Sequence, residues 1–179
     1  MAEYLWIFWS FSLLGWVLER LFAAVTRSPQ RRRRCLLLLP LCPVYGLGMA
    51  AVLALPPSLR SEWPLYLWGG LTATAVEYIY HWWGETFLGV SFWDYTGVFG
   101  NLRGRVCLPF SLAWGLLLFP AVYLVTPPVL ALADRVPVGV TWWLLLAFTA
   151  DAVCSLRFLA VTHDLEALRA AVWPVSADR

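Results

Sequence analysis

Five stretches of this chain are each apolar for about 20 residues or more, and that constrains its fold more than any other feature. At about 1.5 Å of rise per residue, such a run crosses the roughly 30 Å of hydrocarbon in a bilayer. The windows run over about 3–25, 35–55, 64–90, 107–132 and 138–162. They are continuous rather than alternating with a period of two, which predicts helices and not a barrel. The breakers fall between them: Pro56-Pro57-Ser58, Trp93-Asp94-Tyr95-Thr96-Gly97 and Asp134-Arg135-Val136-Pro137. The expected architecture is all-α, a single transmembrane helical domain over 1–179. Composition agrees. Of 179 residues, 61% are hydrophobic and 13% charged, against about 25% charged in soluble domains. The same numbers exclude a disordered chain, collagen and a nucleic-acid module.

Orientation follows from the arginines, because the chain has no lysine. The first connection holds Arg27 and Arg31 to Arg34, the third holds Arg103 and Arg105, and the tail holds Arg169 and Arg179. Only Arg60 and Arg135 lie in the second and fourth connections. Positive loops stay on the cytoplasmic side, so the amino terminus is expected outside and the carboxyl terminus inside. Arg31 to Arg34 read as this topology anchor, attracted to anionic lipid. The first helix carries Glu3 where a signal peptide has positive charge, so it is expected to stay in the membrane.

Ionisable groups inside a span cost on the order of 2.5–3.5 kcal/mol each and need an explanation. Glu19 sits in the first window beside Arg20. Glu77, His81 and Glu85 follow one another at intervals of four in the third, along one helical face. Asp151 and Arg157 lie in the fifth. These groups must turn inward, and two readings are open. One is a structural network in which Glu19 or Glu77 pairs with Arg157 or Arg20. The other is a polar cavity that binds a substrate or ion. The eight residues from Glu77 to Glu85 spread over about 12 Å, too far for one metal ion, so no metal and no cofactor is expected.

The connection Ser91–Arg105 joins aromatics, glycines and arginines. Gly97, Gly100 and Gly104 suit left-handed backbone, and Asn101, Arg103 and Arg105 supply donors for an anion. Such a segment either dips back into the bundle to close a site or rests at the interface on Trp93 and Tyr95. Cys35, Cys42, Cys107 and Cys154 form no CxxC pair, and each reads as a small buried apolar residue. Pro120 should kink the fourth helix. Cys42-Pro43-Val44-Tyr45-Gly46 and Cys107-Leu108-Pro109-Phe110-Ser111-Leu112-Ala113-Trp114-Gly115 each follow an acid-bearing helix and an arginine-bearing loop. That suggests a parallel duplication of a helix pair, with a fifth helix added.

Gly15-Trp16-Val17-Leu18-Glu19, Cys42-Pro43-Val44-Tyr45-Gly46-Leu47-Gly48, Glu77-Tyr78, Trp93-Asp94-Tyr95 and Asn101–Leu108, with Ser111 and Trp114-Gly115, occur in that order over residues 8–115. In this set the chain resembles the ABC-transporter type IV family of small bacterial integral membrane proteins (CmpB-like). The resemblance implies a multi-pass protein of the bacterial cytoplasmic (inner) membrane with a permease role, and strengthens a shared site at Glu19, Glu77, Asp94, Asn101 and Arg105. The first loop departs from the family, carrying an arginine cluster where a more mixed polar loop is common.

The leading function is an integral membrane transport component with an acidic intramembrane cavity. Its substrate- or ion-binding residues are expected to be Glu19, Glu77, Glu85, Asp94, Asn101, Arg103, Arg105, Asp151 and Arg157. No Walker A pattern occurs, so ATP would act through a separate nucleotide-binding subunit. Five spans are few for a complete pathway, so either that subunit or a homodimer is expected, with the small residues Gly69–Ala75 as a contact face. The alternatives are a membrane-embedded enzyme acting on a lipid head group, with Glu19 or Glu85 as base, and a structural or regulatory subunit. The enzyme reading lacks a Ser/His/Asp arrangement, a metal cluster and a phosphate-cradling motif, so the sequence points away from it.

Overall fold

A computed structural model describes residues 2–26 and 35–170, and 76% of these described residues are helical. Arg27, Arg31 to Arg34 and Arg179 lie outside the described residues. Helix α1 covers Ala2–Thr26 and α2 covers Pro43–Leu53. Helix α3 runs over residues 62–88, with π-helical turns at Leu65–Gly69 and Gly84–Leu88. A two-stranded hairpin, β1 (Asn101–Leu102) and β2 (Val106–Cys107), leads directly into α4, Leu108–Ala133. Helix α5 covers Val138–Thr162, and a short α6 covers Leu165–Ala170. Three of these, α1, α4 and α5, are long and apolar enough to cross a membrane.

Helix α1 buries Ile7, Phe11, Gly15 and Glu19, a stripe at intervals of four, and turns Leu14, Leu18 and Leu21 outward. Helix α2 lies in that stripe and also packs on α3, while α3 packs along α4. Both crossings depend on glycine. A Cβ on Gly46 would run into the Phe8 carbonyl oxygen and the Ser12 hydroxyl of α1, and one on Gly115 would lie 2.7 Å from the Tyr66 carbonyl oxygen. Gly70 faces Gly115 across the second crossing, and Gly69 is buried beside Leu118. The two glycines expected to open a dimer face are therefore spent within the chain, on the α3–α4 contact. Exposed Leu, Val and Trp side chains line the outer faces of α4 and α5, among them Leu112, Leu116, Leu124, Trp142, Trp143 and Leu146. That is an apolar surface suited to lipid and not to water.

The second apolar window differs most from expectation. Helix begins only at Pro43, and residues 35–42 are non-helical. Pro40 and Pro43 lack the N–H that a continuing helix would donate. The freed backbone donors need other partners. The carboxylate of Asp151 on α5 accepts from the amides of Leu38 at 3.1 Å and Leu39 at 2.9 Å, and also from Ser155 Oγ. The Cys42 amide donates to the Ser12 carbonyl, halfway along α1. The cysteine reading is corrected here too: Cys35 and Cys42 form a disulfide with a Cα–Cα distance of 5.2 Å. Residues 36–41 fold back on themselves, and this return brings the two together.

Pro120 lies inside α4, which continues past it to Ala133. The helix passes into a π-helical turn at Ala121–Val125, and Thr126 Oγ1 donates to the Ala121 carbonyl. Helix α5 attaches through the Trp6 Nε1 bond to Thr141, the Phe8–Phe148 edge contact and Asp151.

Two substitutions in one helix test this packing. Gly46→Ala is expected to destabilise by about 1–3 kcal/mol through overpacking. Gly48→Ala meets open space and is expected to stabilise by about 0.5–1 kcal/mol through lower unfolded-state entropy. Thermal unfolding of the detergent-solubilised variants should move in opposite directions.

Candidate functional site

Both returning segments bring aromatic side chains to the carboxylates of the long helices. On the α1–α2 side, Tyr45 donates its hydroxyl to Glu19 in a short hydrogen bond. On the α3–α4 side, Glu77 accepts from Trp114 Nε1 at 2.8 Å and from the Tyr95 hydroxyl at 3.3 Å. The Tyr45 and Trp114 rings meet edge to face at 5.0 Å, and Tyr95 stacks on Phe110 at the same distance. Glu77 is only 2% exposed and Glu19 8%. Charges buried this deeply persist only with hydrogen-bonding partners.

Residues 91–107 fold back along the last turns of α3. His81, 1% exposed, donates Nε2–H to the Trp93 carbonyl at 2.7 Å, and its Nδ1 stands 3.5 Å from Glu85. Trp93 Nε1 donates to the Arg105 carbonyl, and the Tyr95 amide donates to the Gly104 carbonyl. The hairpin turn has Arg103 at φ 54° and Gly104 at φ 69°, with the Arg105 amide donating to the Leu102 carbonyl. Two successive positive φ values mark a type I′ turn. Gly97, Gly100 and Gly104 are all left-handed, as expected. Arg103 is too, which its residue type did not signal.

Arg105 donates Nε–H to Glu85 at 2.7 Å and a second N–H to the Tyr78 hydroxyl, with its guanidinium 5.1 Å from the Tyr78 ring centre. Glu85 pushes the Arg105 pKa up. Asp94 is held below the ordinary carboxylate range by the Thr96 hydroxyl and amide, the latter donating at 2.7 Å. Asn101 closes the turn, its Oδ1 accepting from the Gly104 amide and its Nδ2 donating to the Val98 carbonyl.

Two cavities adjoin this arrangement. The first, of about 400 Å³, is almost entirely apolar; exposed Leu14 and Leu18 stand at its rim and Glu77 is the charged group in its wall. The second, of about 590 Å³, is lined by Tyr45, Trp93, Tyr95, Phe110 and Trp114 together with Glu19 and Asp94. Leu18, Tyr45, Trp114 and Leu117 wall both.

The nine expected site residues therefore separate. Glu19, Glu77 and Asp94 border the cavities. Glu85 and Arg105 pair beside them, and Asn101 shapes the turn. Arg103 is exposed at the hairpin tip, Arg157 is exposed on α5, and Asp151 anchors residues 38 and 39 away from either cavity wall. The aromatic walls were missed. Tyr45-Gly46 and Trp114-Gly115 are the same aromatic–glycine pair in the two similar helix starts, and that repetition was the available signal.

The family described as Putative ABC-transporter type IV matches residues 6–156. The chain belongs to this family. The match spans every element that builds the two cavities, from α1 to most of α5. No curated protein and no solved structure matches the chain.

Asp94 yields a pH prediction. Its folded pKa is lowered, so its contribution to stability is complete above the unfolded value of ~3.9 and is lost as pH falls through the folded one. At neutral pH, Asp94→Asn should destabilise by less than about 1 kcal/mol, because the carboxylate is exposed and screened. In thermal unfolding, the gap between variant and wild type should persist to about pH 4 and close below it.

Proposed function

We propose that this protein is the membrane component of a transporter, a permease subunit whose substrate enters the cavities beside Glu19, Glu77 and Asp94. One observation carries the reading. Two glycine-mediated helix pairs each aim an aromatic donor at a buried acid, and the donors share a cavity wall. Irregular backbone within a membrane is tolerated where protein or water surrounds it, and in transporters such breaks border the substrate path. Residues 35–42 and 89–107 have this character.

In this reading the chain is one domain over 1–179 that crosses the bacterial inner membrane five times, amino terminus outside and carboxyl terminus cytoplasmic. Helix α2, 11 residues long, rises about 16 Å, and residues 35–42 complete its crossing. The likeness of the α1–α2 and α3–α4 pairs supports a parallel duplication. A separate nucleotide-binding subunit supplies any ATP-driven step, or two copies of the chain complete the pathway. Glu85, Arg105 and Asn101 hold the hairpin against the cavity, while Asp151 holds residues 38 and 39 from α5. Arg103 is exposed at the hairpin tip and Arg157 on α5.

Reconstitution in liposomes tests the proposal with labelled tetraethylammonium, glucose and sulfate as solutes, alone and with any nucleotide-binding subunit encoded beside the gene. At least one solute should enter faster than into protein-free vesicles, and Glu77→Gln should slow that flux at least tenfold while the protein stays folded. Flux equal to that of empty vesicles for all three, under both conditions, would overturn the transport reading.

A further inference from the structure

The aromatic cavity has a chemistry more specific than its acidity. Its walls are the faces and edges of Tyr45, Trp93, Tyr95, Phe110 and Trp114, with carboxylates at Glu19 and Asp94. Three of these rings also donate their polar hydrogen to an acid: Tyr45 to Glu19, and Tyr95 and Trp114 both to Glu77. A phenol or indole that leans its proton toward a carboxylate becomes richer in electrons over its ring. Ring faces already carry the negative end of the aromatic quadrupole, and these faces are made more negative still. Such a box favours a positive charge with a diffuse, weakly hydrated surface, for which aromatic cages are the common solution.

The neighbouring apolar cavity supplies a second requirement. It shares the Tyr45, Trp114, Leu18 and Leu117 walls, extends along α1 and α4, and is bounded by aliphatic side chains such as Val17, Leu118 and Val125. A ligand whose charged head lies in the cage finds an apolar channel on the other side of the same two rings.

We infer that the two adjoining cavities bind a cationic amphiphile, an alkylammonium or alkylguanidinium whose head occupies the aromatic cage and whose tail reaches the apolar cavity past the shared Leu18, Tyr45, Trp114 and Leu117 wall. The inference rests on the reading of these cavities as the substrate site.

Titration of tryptophan fluorescence in dodecyl maltoside micelles tests the inference, using octyltrimethylammonium, tetramethylammonium, octyl glucoside and octyl sulfate. The octyl cation should bind saturably and at least tenfold more tightly than the neutral or anionic octyl compound, and more tightly than tetramethylammonium. Phe110→Leu, which removes a ring and no hydrogen bond to an acid, should weaken it about 3- to 30-fold. Glu19→Gln should do so at least tenfold, with unfolding temperatures recorded to confirm that each variant is folded. Equal affinity for the cationic, neutral and anionic octyl compounds would overturn the inference. Selective cation binding without flux in liposomes would overturn the transport reading and leave the inference standing. Flux of glucose or sulfate without cation binding would do the reverse.

Discussion

A buried backbone amide or carbonyl must have a partner within the protein, and the rest of this structure depends on how that demand is met where the helices break. Prolines at positions 40 and 43 end the helix option for residues 35–42. Asp151 answers from across the bundle by accepting two consecutive amides. In the other half, residues 91–107 meet the demand through a hairpin and through the side chains of His81 and Trp93. A carboxylate that looks like a substrate ligand in sequence thus serves in one place as a backbone acceptor.

The breaks have a consequence for the site. Because α2 starts only at Pro43, just after the Cys42 amide meets the Ser12 carbonyl, Tyr45 arrives beside Glu19. Because the hairpin returns along α3, Tyr95 reaches Glu77 from the other side. Glycines at 15, 46, 70 and 115 then let the helices approach closely enough for these aromatic–acid bonds to share one wall. The carboxylates are stabilised by donors that are themselves aromatic, so satisfying the buried charge also builds the cage.

Much of this was legible along the chain. The long apolar runs of α1, α4 and α5, the left-handed glycines of the hairpin and the inward turn of Glu19 and Glu77 all follow from local rules. They concern length, residue type and the cost of charge in hydrocarbon, and none needs knowledge of a neighbour. The family resemblance was legible too, through short motifs that proved to frame the site.

The partners were decided only by tertiary structure. Whether Asp151 meets a ligand or the amides of Leu38 and Leu39 turns on residues more than a hundred positions apart. The Cys35–Cys42 bond depends on a return path that spacing alone does not specify. The small residues near Gly70 serve an internal crossing because α4, and not a second copy, comes to lie there. Sequence alone determined which groups had to leave the lipid, since that cost belongs to each residue by itself. Which group each one then meets is a property of pairs, and pairs exist only once the chain has folded.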